Sequence, residues 1–327
     1  MDPISHYQTP KRRLFEYILD HNESCWQQHP DHEQIEKAVV SEYKQLEPKM
    51  SPPHTKLAQY VFVGMFASYA YCYGRTEQVM DVAKYLIPHT YIDDCIDSTL
   101  DPATAEAACA GLGNVFGESQ QVGPEAGVDP EHFRRVAKLF RRDKWDEDAY
   151  EIIKSFFSKY LDATTSLRAY ECRDRIPTMD QYVGLRPHNV YMPAIHFINV
   201  YTGFKGKKLH VSSFRNRRVL ATVMLSSFNV ALLLDVILHA GLERPDETKV
   251  ANLIAVVKAG QGLDDMQAAE KIGRMFFENE TLIERSAAEL QPHWPVEAEA
   301  IMHTHKSTLF WVCRAESRYM KGSRRPV

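Results

Sequence analysis

The sequence has few of the features that mark secreted, zinc-binding or membrane-spanning proteins. Six cysteines are scattered along 327 residues with no Cys-x-x-Cys pair, which argues against a structural zinc site and a disulfide framework. No apolar run reaches the roughly 18 to 20 residues that cross a bilayer. The longest candidate, 219–238, is interrupted by Ser226, Ser227, Asn229 and Asp235. The N-terminus also lacks the basic-then-apolar order of a signal peptide, so we expect a cytoplasmic protein without a membrane span.

A strong charge of either sign is also absent. The formal net charge of -4 gives no overall attraction to nucleic acid or to an anionic membrane surface. A hydrophobic content of 44% with 25% charged residues is ordinary for a globular protein and allows a substantial core. With no repeat and no obvious linker, we expect one domain over 1–327, with its core at about 10–322 and a flexible C-terminal tail.

Alternation of apolar and polar residues, the pattern of half-buried strands, is missing as well, whereas helical periodicity is present throughout. Pro187 and Pro193 fall inside one predicted helix and should bend or break it. The sequence therefore predicts an all-α fold. The predicted helices are 11–27, 32–46, 54–73, 77–99, 103–115, 131–141, 147–172, 179–203, 213–240, 248–258, 264–290 and 294–319.

Two acidic clusters lie in otherwise apolar stretches, where ionised carboxylates are costly to bury without a cation. The first reads Asp-Asp-Cys-Ile-Asp over 93–97, and the second is a spaced set over 235–243. Residues four apart share a face of a helix, so each cluster would project its acidic groups together. Two such faces turned toward each other would suit Mg²⁺, with room for a diphosphate between the ions. The candidate metal ligands are Asp93, Asp94, Asp97, Asp235, His239 and Glu243.

These motifs, with two more, resemble those of the class I terpene synthases. The 93–97 segment matches the family's DDxxD motif fully, and Asp235 with Glu243 matches the outer positions of its second metal motif. Arg318-Tyr319 resembles the pair that clamps the departing diphosphate, and Arg186 resembles the diphosphate-sensing arginine. The four matches occur in the family's order. The resemblance as a whole covers about 10–322, and the stretches 63–91 and 252–254 look closest to the trichodiene synthase-like fungal branch.

The resemblance implies a single-domain helical bundle around a central active-site cavity, in which a prenyl diphosphate ionises and the carbocation cyclises. Farnesyl diphosphate is the substrate expected from the family. Three Mg²⁺ ions are implied, with Mn²⁺ as an alternative, and a homodimer is compatible with the family. Asp93, Arg186, Arg318 and Tyr319 are the implied catalytic residues, and the last three also bind the diphosphate.

The second metal motif departs from the family pattern at two positions. His239 stands where the family has Ser or Thr, and Leu242 stands where a basic residue commonly precedes the final Glu. Imidazole is a softer ligand than oxygen and suits transition metals better than Mg²⁺. His239 could ligate the metal directly, act through a water, or face away and leave a weakened site.

Aromatic residues could line the hydrocarbon part of the cavity, because their faces stabilise positive charge without reacting with it. The alternative for each of them is ordinary core packing. The candidate substrate-binding aromatics are Phe62, Phe66, Tyr69, Tyr91 and Trp311, with Tyr73, Phe197 and Phe310 as further candidates.

Three other functions stay open at this point. One is an all-α prenyltransferase, although such enzymes carry two aspartate-rich motifs and this chain has one. Another is a non-catalytic relative that binds a prenyl ligand or a partner protein, which the altered second motif motivates. A helical metal hydrolase of the His-Asp type is the third, and the sequence contains no His-Asp dipeptide.

Overall fold

The structure is a computed structural model that describes residues 4–21, 27–46, 57–98, 103, 147–240 and 251–314. For 4–9, 11, 57–61, 88, 91–98 and 238–240 the description covers the helix backbone without the side chains. Within this part of the chain helices dominate and no strand forms; only an isolated bridge joins Phe204 and Lys207. The helices are α1 (Ile4–His21), α2 (His32–Leu46), α3 (Leu57–Ala70), α4 (Thr76–Ser98), α5 (Glu147–Cys172), α6 (Met179–Asn189), α7 (Met192–Thr202), α8 (Arg217–Ala240), α9 (Leu253–Gln261), α10 (Asp265–Leu290) and α11 (Pro295–Arg314).

The all-α class and the single helical bundle are therefore confirmed. The predicted helices 32–46 and 147–172 agree with α2 and α5 at both ends. The prediction for the first helix was shifted, because α1 begins at Ile4 and ends at His21. Helices predicted at 103–115 and 131–141 fall outside the described residues, apart from residue 103. The domain limits, including the core at about 10–322, stay a prediction.

Local side-chain chemistry fixes several helix starts. Thr178 and Gln181 form a capping box at the start of α6, each accepting a hydrogen bond from the other's backbone N–H. Asp264 and Gln267 do the same for α10. Asn252 caps α9 by accepting from Ile254 N at 2.8 Å. These caps satisfy amide groups that a helix leaves unpaired at its first turn.

Helix α8 lies at the centre of the bundle and contacts α1, α6, α7, α10 and α11. Its sequence is largely apolar, so it can be covered on most of its faces. The stretch Arg217–Ile237 is long and apolar enough to cross a membrane. However, 67% of the apolar segment within this stretch is buried inside the bundle. A mostly buried apolar helix of this kind is typical of a protein core. Its length and composition alone are therefore weak evidence for a membrane span.

The helix predicted over 179–203 is broken, as its prolines suggested. It divides into α6 and α7 at Val190 and Tyr191. Tyr191 has a φ of 58°, in the left-handed region that non-glycine residues seldom occupy. Pro193 lies in the first turn of α7, where its missing N–H costs nothing. The break turns the chain so that both helices contribute to one cavity.

A buried row of polar side chains joins α7, α8, α11 and α10 away from that cavity. His196 Nε2 lies 2.7 Å from Ser226 Oγ, which lies 3.0 Å from His305 Nδ1. His305 Nε2 in turn lies 2.5 Å from Glu280 Oε1. Because all four side chains are buried, each hydrogen bond replaces one that water would have made. The row therefore fixes how these four helices pack.

Candidate active site

A cavity of about 230 Å³ lies among α3, α4, α5, α6, α7, α8 and α11. One part of its lining is apolar and aromatic, and another part is polar and charged. The apolar lining includes Val63, Phe66, Leu86, Tyr160, Leu167, Tyr191, Met192, Ile195, Val230, Leu234, Trp311 and Val312. The polar lining includes His89, Thr90, Thr164, Arg168, Glu171, Arg186, Asn189, Asp235, Asn252 and Thr308.

Asp235 and Arg186 form the centre of the polar part. Asp235 is only 1% exposed, and its Oδ1 accepts from Arg186 Nη2 at 2.8 Å and from Nε at 3.2 Å. Its Oδ2 accepts from the Tyr182 hydroxyl and from Leu253 N at 3.3 Å. Every carboxylate oxygen of this buried acid is thus engaged, which is what a buried charge requires.

The position of Arg186 is fixed from a second side. Its Nη1 donates to the side-chain oxygen of Asn189, and Asn189 Nδ2 donates to Thr164 Oγ1 at 3.0 Å. A planar guanidinium held at both ends points in a defined direction. The contacts link α5, α6 and α8 around the polar part of the cavity.

Tyr182 lies beneath this pair and does not titrate near neutral pH. Burial, followed by the neighbouring Asp235 carboxylate, raises the pKa of its hydroxyl well above the usual value. It therefore remains a hydrogen-bond donor to Asp235. Asn252 adds a bond from Nδ2 to the backbone oxygen of Asp235 at 3.1 Å.

A second arginine lies in the same lining. Arg168 on α5 is 6% exposed, and its Nη1 pairs with the carboxylate of Glu171 one turn later. Both side chains line the cavity. The cavity therefore has two guanidinium groups among its described residues, each paired with a carboxylate.

Aromatic rings form much of the remaining wall. Phe66 and Trp311 have ring centroids 5.1 Å apart in an edge-to-face contact, and Trp311 Nε1 donates to the backbone oxygen of Phe62 at 2.9 Å. Tyr160 and Tyr191 meet at 5.1 Å. Edge-to-face pairs hold the rings at fixed angles and present a stable apolar surface.

His89 on α4 lies within this aromatic part. Its ring stacks on Tyr191 with centroids 4.1 Å apart and an interplanar angle of 27°. Burial lowers the pKa of His89 from 6.5 to about 3, because the charged ring would lose its hydration. The imidazole is therefore neutral at physiological pH.

The structure brings together four of the residues predicted from sequence. Arg186, Asp235, Phe66 and Trp311 all line the one cavity. Tyr69 lies on α3 against Phe310, away from this lining, and Phe62 contributes its backbone oxygen to Trp311. Among the further candidates, Tyr73 packs on Phe204, and Phe197 packs between Phe156 and Phe214 in the core.

Several predicted residues lie outside the description of side chains. Glu243, Arg318 and Tyr319 fall outside the described residues altogether. For the others the helix backbone is described: α4 continues through 91–98 and α8 through 238–240. The residues described by backbone alone are Tyr91, Asp93, Asp94, Asp97 and His239.

The donor set suits a hard divalent cation in its chemistry, since five of the six predicted ligands are carboxylates. Within the described residues no three His, Cys, Asp or Glu side chains converge as a metal site would require. Asp235 fits such a role only if Arg186 releases Oδ1, because both of its oxygens are already bound. In this structure the Arg186 guanidinium thus occupies Oδ1 of the Asp235 carboxylate.

The sequence did not single out several residues that line this cavity or support its polar part. His89 precedes Asp93 by four positions and Tyr182 precedes Arg186 by four, so helical spacing from the recognised motifs could have found both. Thr164 and Arg168 lie on α5, which carries no recognised motif. Only the packing of α5 against α6 shows that they belong to the site.

Comparison with solved structures shows that the fold is a known one. Hedycaryol synthase in complex with nerolidol is similar with a TM-score of 0.66 and 15% identity, covering 88% of this chain and 94% of that one. Wild-type cucumene synthase gives 0.61 and 15%, covering 91% and 98%. The SVS_A2 protein from ancestral sequence reconstruction gives 0.72 and 12%, covering 91% and 89%. A search of curated proteins finds no sequence match.

Residues 84–281 match the family described as "Terpene synthase family 2, C-terminal metal binding". This segment covers more than half of the chain and includes most of α4 and all of α5 to α9, with the cavity residues that they carry. The description implies a divalent metal, in agreement with the carboxylate-rich motifs. The narrower similarity to trichodiene synthase-like proteins stays a prediction. By this match and by its fold, the chain belongs to terpene synthase family 2.

Proposed function

We propose that this protein is a sesquiterpene cyclase, which removes diphosphate from farnesyl diphosphate and cyclises the resulting carbocation. The observation that carries the proposal is the meeting of Arg186 and Asp235 with a wall of aromatic rings in one cavity. A prenyl diphosphate has the same two-part character, with a charged head and an apolar chain. Membership of the terpene synthase family supports the reaction class.

Arg186 suits the diphosphate head because its guanidinium stays charged and makes forked hydrogen bonds to paired oxygens. It makes such contacts to Asp235 Oδ1 through Nε and Nη2. A diphosphate offers the same arginine an alternative set of acceptors, and its binding can therefore free the Asp235 carboxylate. Arg318 and Tyr319 are proposed to add further donors to the leaving group.

Divalent cations, when bound, neutralise the charge that develops on the departing diphosphate. Three Mg²⁺ ions, with Mn²⁺ as the alternative, follow the pattern expected for the family. The residues proposed to hold them are Asp93, Asp94, Asp97, Asp235, His239 and Glu243.

The aromatic part of the cavity is proposed to hold the prenyl chain and the cations formed from it. Phe66, Tyr160, Tyr191 and Trp311 supply ring faces, which stabilise positive charge and exclude water. One similar solved structure is a hedycaryol synthase with nerolidol bound, which supports a sesquiterpenoid-sized occupant. The cytoplasmic location and a homodimer stay proposals of the same kind.

The experiment is incubation of purified protein with C10, C15 and C20 prenyl diphosphates, each with Mg²⁺ and with Mn²⁺. Gas chromatography with mass detection should show a cyclic product from the C15 substrate that disappears with EDTA. A product from the C10 or C20 substrate alone would reject farnesyl diphosphate while keeping the reaction class. With isopentenyl diphosphate added as the C5 co-substrate, longer prenyl diphosphates, detected as their alcohols after phosphatase treatment, would instead indicate a prenyltransferase.

A non-catalytic prenyl-binding relative is the second candidate. It is favoured by the complete engagement of both Asp235 oxygens and by His239 in the altered motif. This candidate predicts saturable binding of a prenyl diphosphate without release of diphosphate. Measuring binding and turnover on the same preparation separates the two functions.

A further inference from the structure

We propose that His89 is the proton acceptor that ends the carbocation reaction. The inference rests on the proposed cyclase function and extends it to the terminating step. His89 is a nitrogen base in the wall of the cavity, four positions before Asp93 on the same helix. His89 therefore lies one helical turn before the first metal motif, and α4 carries both the histidine and the motif.

The surroundings of His89 are aromatic on several sides. Besides Tyr191, its ring meets Tyr85 at 4.8 Å, Phe157 at 5.2 Å and Tyr160 at 5.8 Å between centroids. His89 is buried, with 6% of its surface exposed. Aromatic faces attract cations within about 6 Å of the ring centre. A carbocation that lies against these ring faces is stabilised in the same way.

Burial also keeps the imidazole ready to accept a proton. With its pKa lowered to about 3, the ring is neutral at pH 7 and one ring nitrogen retains a lone pair. A weak base is sufficient here, because a proton on carbon beside a carbocation is far more acidic than an imidazolium ion. A neutral base also avoids placing a second positive charge beside the forming cation.

The step balances without any further reactant. A C–H bond next to the cationic carbon breaks, and its electron pair becomes the π bond of the product alkene. The proton forms an N–H bond with the lone pair of the His89 ring, so the positive charge moves from carbon to imidazolium. That proton then passes to the released diphosphate, which the proposed reaction supplies.

Other ionisable groups in the described lining are less suited to this role. The carboxylates of Asp235 and Glu171 are paired with Arg186 and Arg168. The hydroxyl of Tyr191 has a raised pKa and lies 2.5 Å from the Tyr85 hydroxyl, and a neutral phenol is a poor proton acceptor. His89 is thus the neutral nitrogen base of the described aromatic wall.

The first test replaces His89 with Phe, which keeps an aromatic ring and removes the nitrogens. We expect diphosphate release within about threefold of wild type, because ionisation precedes proton loss. The share of the wild-type alkene should fall to less than about a tenth, replaced by alcohols or by earlier-terminated hydrocarbons, since general bases contribute about 10²-fold or more. His210→Phe, the same substitution at an exposed position outside the cavity lining, is the matched control and should keep the wild-type alkene as the main product.

The second test uses His89→Ala with added imidazole and separates a base from a shape effect. Free imidazole should restore at least part of the wild-type alkene, while toluene at the same concentration should not. A wild-type profile from His89→Phe, an alcohol as the sole wild-type product, or no imidazole rescue in folded protein would each overturn the proposal. Absence of diphosphate release by the wild type would instead reject the cyclase function itself.

Discussion

Arg186 and Asp235 bind each other between α6 and α8, with Nη2 and Nε at 2.8 Å and 3.2 Å from the same carboxylate oxygen. The sequence assigned the arginine to the diphosphate and the aspartate to the metal. Because the two side chains are paired, the guanidinium proposed for diphosphate and the carboxylate proposed for metal bind each other before any ligand arrives. The same ion pair therefore contributes to the stability of the fold and supplies groups for the chemistry proposed at the site.

Asp235→Asn should destabilise the protein by about 3 kcal/mol, because it leaves the largely buried Arg186 guanidinium, whose side chain is 13% exposed, without its counter-charge. Urea unfolding followed by circular dichroism measures the change. The control is Lys205→Ala, which breaks the half-exposed pair with Glu299 and should cost less than about 1 kcal/mol. Equal losses of unfolding free energy in the two variants would show that the Arg186–Asp235 pair stabilises the protein no more than an exposed pair does.

Mg²⁺ and inorganic diphosphate should bind with positive coupling, since diphosphate competes with Asp235 for Arg186. Calorimetric titration should show Mg²⁺ affinity rising at least about tenfold when diphosphate is present, and the converse by linkage. Arg186→Gln should reduce this coupling, because glutamine presents no charge to either partner. Independent binding of the two ligands would contradict the exchange of partners at Arg186.

Asp93→Ala and Glu243→Ala should each abolish turnover while the fold is kept, since one carboxylate is removed from each proposed metal motif. Diphosphate release should fall by about 10²-fold or more, with unchanged far-ultraviolet circular dichroism. Glu299→Ala, on the exposed side of α11, serves as the acidic-residue control and should retain activity. Near-wild-type turnover in both motif variants would remove the metal assignment.

His239→Ser restores the hydroxyl residue that the family has at this position, and oxygen is the harder donor for Mg²⁺. The variant should therefore match or exceed the wild type in Mg²⁺-dependent diphosphate release. The ratio of activity with Mg²⁺ to activity with Mn²⁺ should rise as well. A folded but inactive variant would show that the imidazole itself is required.

Buried histidines should make the protein sensitive to acid. Burial, with His305 nearby, lowers the pKa of His196 to about 3, and burial lowers that of His303 to about 4. Unfolding exposes both to water, where their pKa is about 6.5, so the unfolded state binds more protons below that value. This contribution to stability is complete above pH 6.5 and is lost as the pH falls toward the folded values.

Each such histidine adds about 1.4 kcal/mol per pH unit to the dependence of the unfolding free energy between pH 6 and 4. His196→Gln keeps a side-chain amide near Ser226 and removes the titrating group, so the slope should fall by about that amount. Denaturant unfolding at several pH values measures it. An unchanged slope would show that His196 does not remain neutral in the folded protein.

The sequence predicted several helices of the described part of the chain well, because helical periodicity is a local pattern. Periodicity and prolines located α2, α5 and the interruption near Pro193. The contacts of the cavity could not be predicted in this way. Tyr191 contacts Tyr85, which lies 106 positions away in the sequence. Its left-handed backbone could likewise not be predicted from the neighbouring residues alone.

Local sequence patterns also could not show which of the predicted aromatic residues line the cavity. Phe66 and Trp311 line the cavity, whereas Tyr69, three residues after Phe66, packs on Phe310 outside it. One helical turn changes which neighbour a ring meets, and the neighbours come from distant segments. Identifying which rings face the cavity requires the packing of α3 against α11.

We expect this protein to convert a prenyl diphosphate into a cyclic terpene with release of diphosphate. The most direct measurement follows both products from farnesyl diphosphate with Mg²⁺, using a coupled diphosphate assay and gas chromatography with mass detection. We predict equal amounts of diphosphate and of a cyclic C15 hydrocarbon or alcohol, both lost with EDTA. Saturable substrate binding without either product, with Mg²⁺ and with Mn²⁺, would contradict the account.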